Sequence, residues 1–246
     1  MNIFIFGGTT EGRTLSHQLA ALGHAVTVSV ATAYGAETQG NCPGVSVLCG
    51  RLTAQQMPPV LSGAQLCIDA THPYAVQASE NIRAACAACG VPYRRLLRPA
   101  GAQGRAEIAP GAADAAALLA KRSGKILLTT GAKELGAFAP LGGERLVARV
   151  LPGMESLAAC EAAGIPKKNI IAMQGPFGKE LNCAILRQYG IRWMVTKNGG
   201  GPGGFAEKLQ AAAECGAGVI VIARPQELGQ SAEEILHEIT QGGKTP

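Results

Sequence analysis

The chain has 246 residues, enough for one large domain or two of roughly 120. With 47% hydrophobic and 16% charged residues it carries enough apolar surface for a packed core, which excludes wholesale disorder, and no apolar run approaches the ~20 residues that span a bilayer. The 22 Lys and Arg exceed the 17 Asp and Glu by +5 without any basic-aromatic cluster, so the expected partner is an anionic small molecule, neither nucleic acid nor membrane.

The first apolar stretch, Ile3 to Phe6, meets Gly7 too soon for a signal peptide, and a cytoplasmic location is expected. The chain opens as strand Asn2 to Phe6, glycine turn, helix from about Glu11 to Leu22, and strand Ala25 to Val30, a βαβ unit. Strands at Val45 to Cys49 and Gln65 to Asp69 follow, the latter leading into a helix that ends at Cys89. Around Arg98 to Gly111 the pattern lapses, and the domain boundary is placed there. After a helix from Ala112 to Lys121, a second series places strands at Lys125 to Thr129, Leu146 to Leu151, Asn169 to Met173, Trp193 to Thr196 and Val219 to Ala223. Ser231 to Thr240 reads as a closing helix with Ser231 and Glu234 as a capping box, free to pack on either domain. Strands alternating with helices predict an α/β protein: two doubly wound parallel-sheet domains, 1–98 and 99–246, with ligands in a cleft between them at the carboxyl ends of the strands.

Eight cysteines with no secretory signal are expected to be thiols. Cys86 and Cys89 have redox-motif spacing, but they share a helical face with Ala78, Ile82 and Ala85 and lie just before Gly90, where the helix dipole disfavours thiolate; both are expected to be buried and inert. Neither a second close cysteine pair nor a close histidine pair exists among His17, His24, His72 and His237, so no metal site is predicted.

Gly7, Gly8 and Gly12 lie in Gly-Gly-Thr-Thr-Glu-Gly between a strand and a helix, where glycine admits a pyrophosphate to the backbone and the helix N-terminus offers N–H groups to it. Thr9 stands where the usual fingerprint has its second glycine. The same stretch also spells G-x-x-x-x-G-R-T, one residue from a P-loop, but Arg13 is no substitute for the compact charge of the P-loop lysine. A glycine turn that merely packs helix on strand is the plain alternative. At the end of the second strand, Ser29-Val30-Ala31-Thr32 has no carboxylate to repel a 2′-phosphate, so either NADPH or NADH is accommodated.

Asp69-Ala70-Thr71-His72-Pro73-Tyr74 forms a polar cluster after another strand, and either Asp69 or Thr71 can equally serve as a helix cap. Cations recur near strand ends: Arg95, Arg98, Lys133, Arg149, Lys179, Lys197 and Arg224. Singly each reads as a surface charge; together they suit a polycarboxylate.

Those segments, with Tyr-Arg-Arg-Leu-Leu-Arg-Pro at 93–99, Thr-Thr-Gly-Ala-Lys-Glu-Leu at 129–135, Gln-Gly-Pro-Phe at 174–177 and Glu-Lys at 207–208, resemble the precorrin-6A reductases of cobalamin biosynthesis, collinearly over nearly the whole chain. The resemblance implies Rossmann-like domains, the first binding a nicotinamide dinucleotide and the second an anionic corrin precursor, and reduction of a macrocyclic double bond by NADPH or NADH. It implies cofactor contacts at Gly7, Gly8, Thr9, Thr10, Gly12, Arg13, Ser29, Thr32 and Thr71, and a reaction zone at Asp69, His72 and Tyr74 with His72, Tyr74 or a water in place of either as proton donor. Substrate contacts are expected at Lys133, Gly175, Pro176, Phe177, Lys179, Thr196, Lys197 and Arg224. Two departures stand out. Asn198-Gly199 replaces the Asp-Ser that commonly follows Thr-Lys, and Ala223-Arg224-Pro225 has lost one cation.

Overall fold

Residues of β1 (Asn2–Phe6) alternate between two cores, Ile3 and Ile5 on one face of a sheet and Phe4 and Phe6 on the other, as a strand buried on both sides must. The computed structural model describes residues 1–98, 101, 102, 104, 106–200 and 203–242. β1 pairs in parallel with β2 (Ala25–Val30) and β4 (Leu66–Asp69); β3 (Val45–Cys49) and β5 (Tyr93–Arg95) complete a five-stranded sheet of order β3-β2-β1-β4-β5. α1 (Thr10–Ala21) covers the Ile3 face through Leu15 and Leu19, and α2 (Ala33–Gln39) is tied to it by Gln39, whose amide donates to Ser16 Oγ at 2.9 Å. α3 (Met57–Leu61) and α4 (Val76–Cys89) cover the Phe4 face. The stripe of α4 that packs is Ser79, Ile82, Ala85 and Cys86; Cys89 is exposed, correcting the expectation that both thiols are buried. In the last turn, its sulfur has passed the edge of the core and lies 3.6 Å from the Pro58 carbonyl.

The second sheet contains β6 (Glu107–Ala109), β7 (Lys125–Leu128), β8 (Leu146–Val150), β9 (Ile170–Ala172), β10 (Ile191–Lys197) and β11 (Gly218–Ile222), all parallel, in the order β6-β11-β10-β7-β8-β9. α7 (Lys179–Gln188) and α8 (Phe205–Glu214) bury Leu186 and Ala211 against Leu127, Val147 and Met194. The connection after β7 is a 3-10 segment, Ala132–Leu141, which packs against α5 (Ala112–Ala120) and α6 (Met154–Ala162).

The chain divides into two compact units, Met1–Arg98 with Pro225–Pro246, and Pro99–Arg224. The second half therefore does not run to residue 246, as the sequence reading had it. The closing helix α9 (Ala232–Gly242) sinks Ile235 and Ile239 into the cluster of Ile3, Leu15 and Val28, and Glu238 pairs with Arg94 of β5. Just before it, Gln230 bridges Leu96 in parallel. The capping box forms as read, Glu234 N–H donating to Ser231 Oγ at 3.2 Å and Ser231 N–H to Glu234 Oε2 at 2.7 Å.

Candidate active site

In the first sheet the chain reverses its winding between β1 and β4, so the turn after β1 and the loop after β4 meet at the carboxyl edge, the place where open α/β sheets bind ligands. Thr9 is the N-cap of α1: its Oγ1 accepts from Gly12 N–H at 3.1 Å and donates to the Ala70 carbonyl at 3.0 Å, locking turn to loop. A Cβ on Gly7 would fall 2.8 Å from Val28 Cγ1, and one on Gly12 would fall 2.6 Å from Ala70 Cβ. Gly12 thus makes room for the protein itself, while Gly8, with φ of 120° and open space above its Cα, leaves the turn accessible. Thr10 is the exposed first residue of α1, and helix geometry leaves its N–H without an intrahelical acceptor. Glu11, which would repel a phosphate, is neutralised by Arg98, whose Nη2 lies 2.7 Å from Glu11 Oε2. These features fit a dinucleotide pyrophosphate.

Ser29 is buried, and its carbonyl accepts Gly7 N–H at 2.8 Å. Thr32 caps α2, accepting from Gly35 N–H at 3.0 Å. Arg13 donates to the Thr38 carbonyl of α2 at 3.0 Å, so it faces α2 and not the turn, which is the wrong direction for a P-loop cation.

Asp69 is fully buried. Its Oδ1 accepts from Arg95 Nη1 at 2.8 Å, Thr71 N–H at 3.0 Å and Thr71 Oγ1 at 2.7 Å, and its Oδ2 accepts from Tyr93 at 2.9 Å. Burial, reinforced by the Asp69 charge, pushes the Tyr93 phenol up, so it stays protonated and donates. Asp69 and Thr71 therefore brace the loop. It presents exposed His72 and half-buried Tyr74, whose ring centroids are 5.7 Å apart.

In the second sheet the reversal falls between β7 and β10. Thr129 N–H and Oγ1 both donate to the Val195 carbonyl at 2.9 Å, Thr196 is fully buried, and Lys197 Nζ lies 2.9 Å from Glu134 Oε1. Lys197, read from the sequence as one of the strand-end cations, is thus ion-paired. Lys133, next to Glu134 in sequence, is exposed. Asn198 binds Gly101 reciprocally, Oδ1 accepting from Gly101 N–H at 2.9 Å and Nδ2 donating to its carbonyl at 2.8 Å, a pairing that aspartate cannot complete. Lys179 does not join the others: its ammonium pairs with Glu214 at 3.0 Å on the α7–α8 face, which raises its pKa. Gly175 and Pro176 lead by a cis peptide into Phe177, whose ring lies under the Arg149 guanidinium at 4.2 Å. Arg224 is half-buried just beyond β11. No group of three or more His, Cys, Asp or Glu among the described residues is placed to hold a metal, and no described helix is long and apolar enough to cross a membrane.

The family model for precorrin-6x reductase CbiJ/CobK matches residues 2–240. The chain belongs to that family. Cobalt-precorrin-6A reductase of Priestia megaterium is 38% identical, covering 96% of this chain and 97% of the relative, and its Salmonella typhimurium counterpart is 37% identical over 96% and 91%. The solved structure of CobK precorrin-6A reductase superposes with a TM-score of 0.77 at 28% identity, covering 100% of this chain and 98% of that one. These are oxidoreductases acting on a carbon–carbon double bond, and the Rossmann-like fold implies a nicotinamide dinucleotide.

Two further cations, Arg149 of the strand-end series and Lys208 of the Glu-Lys pair, were given no individual role by the sequence. Arg149 is 5% exposed, at the carboxyl end of β8, and its Nη1 donates to Asn182 Oδ1 at 2.7 Å. The signal was an arginine inside the wholly buried strand Leu146–Val150. Lys208 of α8 donates to the Gly203 carbonyl at 2.7 Å. The sequence marked it only through the Glu-Lys pair at 207–208.

Proposed function

We propose that this chain reduces cobalt-precorrin-6A to its 6B form with NADPH. The reduced nicotinamide supplies a hydride to one carbon of a macrocyclic double bond, a proton joins the neighbouring carbon, and oxidised nicotinamide leaves. The observation that carries this reading is the β1–α1 turn at a parallel-sheet switch point in a chain matched over residues 2–240 to reductases of this class.

Gly8, Thr9 and Thr10 hold the pyrophosphate at the start of α1, while Gly7 and Gly12 let the turn close against β2 and the β4 loop. The absence of a carboxylate in 29–32, with Arg13 held beside α2, favours the 2′-phosphate of NADPH. Ser29 and Thr32 shape the ribose end. Asp69 and Thr71 are positioning residues, and His72 or Tyr74 delivers the proton from the loop they brace. Lys133, Lys197 and Arg224, with the Gly175–Phe177 turn, take the acidic side chains of the macrocycle. The two relatives named above are cobalt-precorrin-6A reductases, and this favours the cobalt form.

The test offers the purified protein cobalt-precorrin-6A or precorrin-6A, each with NADPH or NADH, without oxygen. Loss of reduced nicotinamide is expected, fastest with the cobalt form and NADPH. No loss in any combination contradicts the reading.

A further inference from the structure

We propose that Arg149, Lys208 and the ring of Phe177 form a carboxylate niche at the carboxyl end of β8 that takes one acidic side chain of the macrocycle. This rests on the substrate reading above and assigns a subsite within it.

A cation removed from water needs a counter-charge, and among the described residues neither of these two forms an ion pair. Arg149 is buried, and the partners described for it are the neutral amide of Asn182 and the face of Phe177. Lys208 is half-buried, and its described acceptor is the neutral Gly203 carbonyl. The start of α8 abuts the Phe177 segment, since a Cβ on Gly204 would lie 3.4 Å from the Phe177 carbonyl and 3.7 Å from Glu207 Oε2; consistent with that closeness, burial and then Arg149 push Lys208 down to about 8, against a smaller upward pull from Glu207. Desolvation lowers Arg149 as well, to about 10.

The niche is braced. Asn182 is fully buried and its Nδ2 donates to the carbonyls of Gly178 at 2.8 Å and Phe177 at 3.2 Å, which fixes its Oδ1 toward Arg149 and the guanidinium over the ring. One guanidinium nitrogen is thus committed and the rest of the fork remains for a planar two-oxygen acceptor. Glu207 is the nearest acid named by its charge effect, yet its Oε2 is buried without a hydrogen bond and forms no ion pair with either cation. An arrangement that keeps two cations desolvated beside an acid that does not neutralise them suits an external anion.

The test compares wild type with Lys208→Met, Lys208→Arg and Arg149→Lys. Removing a poorly solvated charge should leave the Tm of Lys208→Met unchanged or higher, so its kinetics are read on folded protein. Its KM for cobalt-precorrin-6A should rise roughly 10- to 150-fold, the loss of one charge-assisted hydrogen bond, with the KM for NADPH unchanged and Lys208→Arg recovering most of the loss. Arg149→Lys should raise the same KM. An unchanged macrocycle KM in both Lys208→Met and Arg149→Lys overturns the niche, and so does a rise in the NADPH KM alone, which would make it a site for the cofactor phosphate. A second arm needs no turnover: propionate, at ionic strength matched with chloride, should raise the Tm of wild type and not that of Lys208→Met. That shift in a protein inactive on the macrocycle would reject the reductase reading and keep the niche; equal shifts in both proteins would reject the niche.

Discussion

Arg95 donates to Asp69 at 2.8 Å from a side chain only 3% exposed, and its other terminal nitrogen lies 2.9 Å from Glu227 in the segment that returns after the second sheet. The brace of the β4 loop therefore draws on residues more than a hundred positions apart. Asp69→Asn removes the charge but keeps the shape, leaving Glu227 as the described acid paired with Arg95. Breaking a buried pair costs about 3–5 kcal/mol. The expected outcome is a clearly lowered Tm, with a raised NADPH KM in the surviving folded protein; wild-type values for both would demote Asp69 to a helix-end residue.

Gly12→Ala tests the contact between α1 and the β4 loop. Its Cβ would sit 2.6 Å from that of Ala70, so the helix must shift, at about 1–3 kcal/mol for overpacking. Urea unfolding should show the loss, and Ala70→Gly in the same chain should restore most of it. If the double variant recovers nothing, the clash is not the cause.

Arg13→Ala should lower the preference for NADPH over NADH by about 3- to 10-fold, a partly exposed contact being weaker than a buried one. The kcat/KM ratio for the two cofactors measures it, and an unaltered ratio would remove Arg13 from the 2′-phosphate site.

The lowered pKa of Lys208 gives a pH signature. Between about 8 and its ordinary value of 10.5 the unfolded chain binds a proton that the folded chain does not, so Lys208 destabilises below about 8 and that penalty is relieved as pH rises. Function runs the other way: the macrocycle KM should climb as pH passes about 8 and the ammonium is lost. Lys208→Arg should flatten that climb, while an identical pH profile in both proteins would exclude Lys208 as its source.

Asn198→Asp should destabilise this chain by about 1–3 kcal/mol. A carboxylate can accept from Gly101 N–H but places a second acceptor against the Gly101 carbonyl. A Tm at or above wild type would show that the loop rearranges around the acid.

The parallel strands β1 to β4 were legible because each is a short apolar run closed by a turn, and α4 because its period is helical. β5 and β6 were not. Tyr93–Arg95 carries two cations and Glu107–Ala109 sits in a Pro- and Gly-rich lapse, and both become strands only by pairing with β4 and β11, far away in sequence. α2 was missed because seven residues hold no clear period. The glycine turn was legible as a candidate site; the contacts within it were not, since only the fold shows that Gly12 faces Ala70 and that Asp69 is enclosed by Arg95, Thr71 and Tyr93. The cation-lined edge was read from strand ends, but which cations are ion-paired depends on Glu134 and Glu214, contributed by neighbouring elements.

The most direct measurement is transfer of label. NADPH carrying deuterium at the transferable position of its nicotinamide is mixed with cobalt-precorrin-6A and the purified protein without oxygen, and the macrocyclic product is weighed by mass spectrometry. The account predicts one deuterium in the 6B product for each NADPH oxidised in ordinary water, and with protiated NADPH in deuterated water one deuterium at the neighbouring, proton-derived carbon instead, the two positions being told apart by NMR. A product lacking the nicotinamide deuterium, or oxidation of NADPH with the macrocycle unchanged, would contradict it.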